Sequence, residues 1–333
     1  MGVERVQLGR SGSLVSEVGL GTWQAGLRGW GTDYSRGDVE QAISLALDRG
    51  INFFDTAEMY GRGASEEVLG GVIHERREEV VLATKVSPWH LSEHSLKAAV
   101  DASLKRLGTE YVDLYQIHFP PSYYTSLRKT FHVLEHFVMD GKIKFIGVSN
   151  FSKSLLAESR TYLSKVDIVS NQVEYSLLCR WPEEELLPYC RQEGISIIAY
   201  SPLAQGMLTG KYHSGNLTTR DVRSHNKLFR PKNFKKFEGL LAILRDVAAK
   251  RNVTPGQVAL NWLLCQQVIP IPGAKKPSQV SEIAGASDWR LTESELNNVR
   301  AAASEAGITL GNEVQYMSVI RLIPDHLIEL FFA

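Results

Sequence analysis

The sequence predicts one α/β class, the (β/α)8 or TIM barrel, in which eight parallel strands close on themselves inside a ring of helices. Three observations predict it. Short apolar runs alternate with helix-periodic segments along most of the 333 residues. The alternation yields eight strand–helix units in order. The glycine fingerprint of the open, doubly wound alternative is missing, because Gly19-Leu-Gly21-Thr-Trp-Gln24 and Gly61-Arg-Gly63-Ala-Ser-Glu66 both lack the third glycine.

The elements follow from local signals. Residues 18–23 are apolar and glycine-rich, a first strand, and 35–50 is a helix with Val39, Ile43, Leu45 and Leu47 as apolar positions and Gly50 as its stop. Strand 52–55 precedes helix 65–74, and strand 80–85 precedes helix 92–107, which Gly108 ends. Strand 111–118 leads to helix 126–139, strand 145–149 to helix 153–163, and strand 166–172 to helix 182–193. Strand 195–200 is followed by two helices, 237–250 and 255–267. The eighth strand, 268–271, is followed by helices 277–284 and 293–305. The barrel spans 18–305 of a single 1–333 domain.

Three parts lie outside these units. Residues 4–17 alternate around Gly9-Arg-Ser-Gly12, a hairpin suited to plugging the barrel floor. Residues 203–235 form a loop after strand seven that is too long for a mere connection. Residues 311–333 form a tail with apolar positions from Ile320 to Phe332, expected to dock on its own barrel or on a second copy in a homo-oligomer.

Composition bounds the function. Hydrophobic residues make up 44%, enough for a large core, and 37 basic residues balance 37 acidic ones, so bulk charge points to no nucleic acid or other polyanion. No apolar run approaches the roughly 20 residues of a membrane span. The first residues, Met1 to Val6, show no basic-then-apolar signal and miss the myristoylation pattern at Val6. Cys179, Cys190 and Cys265 have no paired spacing, and Asn252-Val-Thr254 is read as a chance glycosylation triplet. A reduced, cytoplasmic protein is expected.

Four chemistry-bearing residues stand at or just past three consecutive strand ends: Asp55 and Tyr60, Lys85, and His118. A parallel barrel gathers such ends at one mouth. A phenol with an ordinary pKa near ~10 gives up its proton poorly at neutral pH, and a neighbouring ammonium favours the phenolate. Lys85 supplies the ammonium, Asp55 holds it, Tyr60 becomes an acid able to protonate a nascent alkoxide, and His118 hydrogen-bonds the same oxygen. His90-Leu-Ser-Glu-His94 and His132-Val-Leu-Glu-His136 match a zinc-peptidase pattern. An outer barrel helix points its histidines away from the mouth, so no metal is expected and His94, His132 and His136 are read as surface residues.

The chain resembles the aldo-keto reductase superfamily. The matching segments are Phe54-Asp-Thr-Ala-Glu-Met-Tyr-Gly61, Ala83-Thr-Lys85, Asp113-Leu-Tyr-Gln-Ile-His118, Gly147-Val-Ser-Asn150, Asn171-Gln-Val-Glu-Tyr175, Ala199-Tyr-Ser-Pro-Leu203 and Ile271-Pro-Gly273, in the family's order. The resemblance implies a barrel that binds NADP(H) without the glycine fingerprint, and it assigns Asp55, Tyr60, Lys85 and His118 as a catalytic tetrad. The implied function is NADPH-dependent reduction of a small aldehyde or ketone to an alcohol.

Cofactor contacts are carried over residue by residue. Ser149, Asn150 and Gln172 would hold the nicotinamide carboxamide, and Tyr200 would stack on the ring. Gly21, Thr22, Asp55, Ser201, Leu203, Gln205, Gly206 and Lys211 would line the cofactor groove. Gly273, Lys275, Gln279 and Glu282 would meet the adenosine end, with Lys275 at the 2′-phosphate; Ile283 departs from the asparagine that many members carry. Residues 203–236 hold eight lysines and arginines against one acid, Asp221, and are read as a flap over the pyrophosphate with Gly206 and Gly210 as hinges. Trp23, Trp30, Trp89 and Phe119 would wall an apolar substrate pocket. Two other readings use the same residues: a cofactor-sensing interaction protein resembling potassium-channel β-subunits, and a lyase forming a Schiff base on Lys85.

Overall fold

The structure is a computed structural model and describes residues 2–27, 29–213, 216–217 and 221–307, with His225 described by its backbone alone. The tail 311–333, and any docking or oligomer contact it makes, lies outside the described residues.

Two short strands, β1 (Arg5–Gln7) and β2 (Leu14–Ser16), pair antiparallel as the expected hairpin. Eight parallel strands follow: β3 (Leu20–Gly21), β4 (Phe53–Asp55), β5 (Val81–Val86), β6 (Val112–Ile117), β7 (Ile143–Ser149), β8 (Ile168–Glu174), β9 (Ser196–Tyr200) and β10 (Ile269–Pro270). Each pairs with its neighbours in sequence order. The ring closes between last and first: Gly19 N donates to Pro270 O (2.9 Å), Gly21 N donates to Pro272 O (3.1 Å), and Gly21 bridges Gly273 in parallel.

Helices α1 (Arg36–Asp48), α2 (Ala64–Ile73), α3 (Glu93–Leu107), α4 (Leu127–Met139), α5 (Lys153–Arg160) and α6 (Leu186–Glu193) each separate two strands. Two more, α7 (Pro231–Arg251) and α8 (Pro255–Cys265), stand between β9 and β10, and α9 (Pro277–Ala284) and α10 (Glu293–Glu305) end the described chain. Side-chain caps set many of the starts. Ser35, Ser92, Ser126, Ser152, Thr254 and Thr292 each accept from the backbone N–H three residues on, meeting a donor the first turn cannot satisfy internally.

The two-residue period of a strand sorts its side chains. Phe54, Leu82, Tyr115, Ile117, Ile146 and Val148 face outward and join the helices in the main core. Phe53, Val81, Ala83, Leu114, Val169, Ile198, Ile269 and Ile271 form a separate inner cluster, into which the hairpin inserts Leu8 and Val15, both fully buried. The hairpin therefore plugs the barrel floor as expected. The fit is close at its tip: Gly9 has φ +54°, a Cβ there would lie 2.3 Å from Val169 O, and its N–H donates to Ser196 Oγ (2.7 Å).

Some boundaries differ from expectation. The first strand pairs over Leu20–Gly21 alone, because Trp23–Gly26 curls into a 3-10 turn. The expected helix 182–193 divides into a 3-10 turn, Trp181–Glu183, and α6. Helix α7 starts at Pro231, six residues before expectation, with proline in its first turn where a missing N–H costs nothing. The loop after β9 is ordered in part by 3-10 turns at Ala204–Thr209, Val222–His225 and Lys227–Phe229.

Candidate active site

The inward positions that are apolar at the floor become polar toward the strands' C-terminal ends. Along β4, Phe53 is followed on the same face by Asp55; along β5, Val81 and Ala83 by Lys85; along β6, Leu114 by Gln116 and then His118. One mouth thus collects four groups, and Tyr60 reaches it from the loop after β4. That loop is held by backbone-to-backbone contact. Gly61 has φ +61°, and a Cβ on it would lie 2.4 Å from Gly26 O, so the Trp23–Gly26 turn and Tyr60–Gly61 approach as only glycines allow.

Lys85 is fully buried and its Nζ lies 2.6 Å from Asp55 Oδ1. It also donates to the Thr56 carbonyl (2.8 Å) and to the Tyr60 hydroxyl oxygen (3.2 Å). Three acceptors use the three hydrogens of an ammonium. Because the ammonium only donates, the Tyr60 oxygen accepts, and its own hydrogen is not spent on Lys85. Burial works against the Lys85 charge, but the Asp55 carboxylate and Tyr60 outweigh it and raise its pKa. The second Asp55 oxygen accepts from Gln116 Nε2 (3.0 Å) and Gln172 Nε2 (2.8 Å). Burial, and then the Lys85 ammonium, push His118 well below the ordinary imidazole value, so its ring is neutral at pH 7. That ring stands edge-on to Tyr60 at 5.6 Å and stacks on Phe119 at 4.6 Å.

Above these residues opens a cleft of about 720 Å3. Near the mouth, Tyr200 OH donates to Asn150 Oδ1 (3.0 Å), Asn150 Nδ2 donates to His118 O (3.1 Å), and Ser149 Oγ donates to Gln172 O (2.9 Å). Asn150, Ser201 and Gln205 hold positive φ of 62°, 50° and 56°, unusual for non-glycine residues and gathered along one side of the cleft. Trp23 stacks over Tyr60 at 5.8 Å, and Trp30 meets Trp23 edge-on at 5.0 Å.

Farther along, Lys211, Arg223, Lys275 and Lys276 line the same cleft. Burial, then Arg223 and Lys275, lower the Lys211 pKa. Arg223 pairs with Asp221 (Nε–Oδ1 2.8 Å) and donates to Tyr212 OH (2.6 Å). Gln279 Oε1 accepts from the Lys275 and Lys276 amides (2.8 and 3.2 Å), and Glu282 Oε1 accepts from Thr254 Oγ1 (2.8 Å). Gly273 lets the backbone pass Gln24, whose buried Oε1 finds no hydrogen-bond partner among the described residues.

Most sequence-predicted positions line this cleft: Gly21, Asp55, Tyr60, His118, Ser149, Asn150, Gln172, Tyr200, Ser201, Leu203, Gln205, Gly206, Lys211, Gly273, Lys275, Gln279 and Glu282, with Trp23, Trp30 and Phe119. Two do not. Thr22 is buried beneath it, its hydroxyl donating to Asp55 O (3.0 Å) and joined to Ser65 Oγ (2.9 Å), so it supports β4 rather than facing a ligand. Trp89 lies in the 3-10 turn Pro88–His90, edge-on to His90 at 6.1 Å and absent from the cleft lining; Ser87 and His90 of that stretch are held by Glu58. Gln116, missed by the sequence reading, lies two residues before His118 and thus on its face of the strand. Gln24, Asp33 and Tyr212 were also missed; each comes from a loop whose path the sequence leaves open. His132 and His136 share the exposed face of α4 with rings 4.8 Å apart, and no cluster of three metal-binding side chains occurs among the described residues. No helix among them is long and apolar enough to cross a membrane.

Comparison with known proteins agrees with this architecture. The model of the "Aldo/keto reductase family" matches residues 17–304. The chain is 38% identical over 311 residues to a chloroplastic pyridoxal reductase of Arabidopsis thaliana, covering 88% of this chain and 84% of that protein. It is 33% identical over 330 residues to an NADH-specific methylglyoxal reductase of Escherichia coli, covering 90% and 98%. Among solved structures, a glycerol dehydrogenase from Gluconobacter oxydans superposes with a TM-score of 0.83 at 31% identity, over 93% of this chain and 98% of that one. An aldo-keto reductase from Klebsiella pneumoniae in complex with NADPH gives 0.74 at 31%, over 90% and 95%. With its closed (β/α)8 barrel, its hairpin floor and a family match over most of its length, the chain belongs to the aldo-keto reductases, a family of oxidoreductases.

Proposed function

We propose that this protein reduces an aldehyde or ketone to the alcohol with NADPH, using Asp55, Tyr60, Lys85 and His118. One observation carries the reading: a fully buried Lys85 ammonium touches the Asp55 carboxylate at 2.6 Å and the Tyr60 hydroxyl at 3.2 Å, at the base of the cleft. A dinucleotide suits the residues present. Amide and hydroxyl groups of Ser149, Asn150 and Gln172 match a carboxamide, Tyr200 offers a ring face, and Lys211, Arg223 and Lys275 supply positive charge for phosphates. A bound NADPH would supply the hydride.

The side chains would do the rest. Tyr60 donates its hydroxyl hydrogen to the carbonyl oxygen as negative charge grows there. Lys85, already donating to the Tyr60 oxygen, stabilises the phenolate that remains, and Asp55 keeps Lys85 charged and aimed. Neutral His118 donates a hydrogen bond to the same substrate oxygen and adds no second positive charge beside Lys85. The aromatic walls from Trp23, Trp30 and Phe119 exclude water and suit an uncharged organic carbonyl compound. Pyridoxal and methylglyoxal, named for the two relatives, are both aldehydes. The loop after β9, with Gly206 and Gly210 both at positive φ, would close over the pyrophosphate.

The Schiff-base alternative fits poorly. Such a lysine must be a neutral nucleophile, whereas Lys85 is held as an ammonium with its hydrogens committed.

Tyr60→Phe tests the proposal. Turnover of aldehydes is expected to fall at least about a hundredfold, the usual worth of a general acid, while NADPH still quenches protein fluorescence. Near-normal activity of this variant at neutral pH would remove Tyr60 from the role.

A further inference from the structure

Lys275 does not stand open in the cleft. Its Nζ lies 3.0 Å from Asp33 Oδ1 and donates to the Trp30 carbonyl, and it sits 4.6 Å above the Tyr34 ring. Residues 29–34 thus cross from the first strand's end to the start of α9. They also touch the loop after β9, since Val222 N donates to Gly29 O (2.8 Å). A Cβ at Gly31 would lie within 4 Å of Asp33 Oδ1, Asp221 Oδ2 and Lys275 Nζ, so both loops bring a carboxylate near this point, Asp33 pairing with Lys275 and Asp221 with Arg223.

The pair is lopsided. The Lys275 side chain is 13% exposed and that of Asp33 is 70% exposed. Lysine is kept in the cleft by the Trp30 carbonyl and the Tyr34 ring, whatever Asp33 does. The acid adds negative charge at a position that a phosphate approaching Lys275 must also approach.

We propose that Asp33 is a specificity-determining residue: its carboxylate competes for Lys275 with the 2′-phosphate that distinguishes NADPH from NADH, and so moderates the preference between them. This rests on the NADPH reading above and goes beyond it. Lys275 sets the preference and Asp33 limits it. Asp33 also repels the pyrophosphate, but that group is common to both dinucleotides and cancels in their ratio.

The test is fluorescence titration of the full chain with NADPH and with NADH, in wild type, Asp33→Asn, Lys275→Met and the double variant. Asp33→Asn is expected to tighten NADPH about two- to fivefold more than NADH, the range an exposed ion pair is worth. Lys275→Met is expected to weaken NADPH selectively, and in its background Asp33→Asn should no longer alter the ratio. A ratio unchanged by Asp33→Asn, or the same change with Lys275 absent, overturns the inference. The two failures are distinct. If wild type binds neither dinucleotide, the proposed function falls and this inference with it. If it binds NADPH through Lys275 and the Asp33 comparison is flat, only the inference falls.

Discussion

Replacing Lys85 with methionine removes an ammonium and little volume. Asp55 is then left buried, but Gln116 and Gln172 still donate to one of its oxygens at 3.0 and 2.8 Å. Removing one partner of a buried pair costs about 3–5 kcal/mol, and two surviving donors put the expected loss at the low end, about 3 kcal/mol. The chemical effect is separate. At the observed 3.2 Å, an ammonium attracts a phenolate by about 5 kcal/mol at an effective dielectric constant near 20. The Asp55 carboxylate remains in both proteins, so its repulsion drops out of the difference and the full attraction of about 5 kcal/mol is lost, roughly several thousandfold in the proton-transfer step. Stability is read from urea denaturation, and kcat from loss of NADPH absorbance with a reactive aldehyde at pH 7. A variant that loses the expected stability yet keeps kcat within about fivefold would show Lys85 to be structural, and the mechanism would fail.

Three further outcomes are expected. His118 binds its proton more weakly when folded than when unfolded, so below the unfolded value of about 6.5 the unfolded chain holds the extra proton and stability falls as pH drops. The urea midpoint should therefore decline from pH 7 to pH 5, and His118→Asn should flatten that decline; an equal slope in both refutes the depressed value. Leu8→Ala, at a fully buried site in the barrel floor, should cost about 2–5 kcal/mol in urea denaturation while kcat stays near wild type; a large fall in kcat would mean the floor and mouth are coupled. NADPH affinity should weaken steeply with added salt if its phosphates lie, as proposed, along the stretch of cleft lined by Lys211, Arg223 and Lys275, whereas the KM for an uncharged aldehyde should hardly move.

Much of the fold was legible because its punctuation is local. Ser35, Ser92, Thr254 and Thr292 announce helix starts, and Gly108 and Gly194 end helices in the left-handed conformation that a glycine adopts without strain. The residues of the proposed acid-base group were legible for a different reason. Asp55, Lys85 and His118 occupy equivalent ends of successive strands, and strand closure alone brings such ends together. What escaped depends on contacts between distant loops. Asp33 meets Lys275 across 242 residues, and no local pattern encodes the meeting. Trp89 does not line the cleft, and strand-end position alone does not say how the next turn will aim its side chains. Thr22 was misplaced because a hydroxyl can equally serve a ligand or the strand beside it. Gln116 was readable in principle, since two-residue spacing from His118 puts it on the same face, but glutamine has no titratable signature to draw notice.

The hairpin that stoppers the barrel with Leu8 and Val15 has a consequence for how the protein can change over time. Cohesion is anchored at the end remote from the chemistry, among Phe53, Leu114, Val169 and Ile198. Loops at the opposite rim are correspondingly relieved of holding the wall together. Substitutions, insertions and altered lengths there can redirect which small molecule is accepted while the scaffold keeps its shape, so a lineage built on this plan can diversify its substrates without first risking its fold.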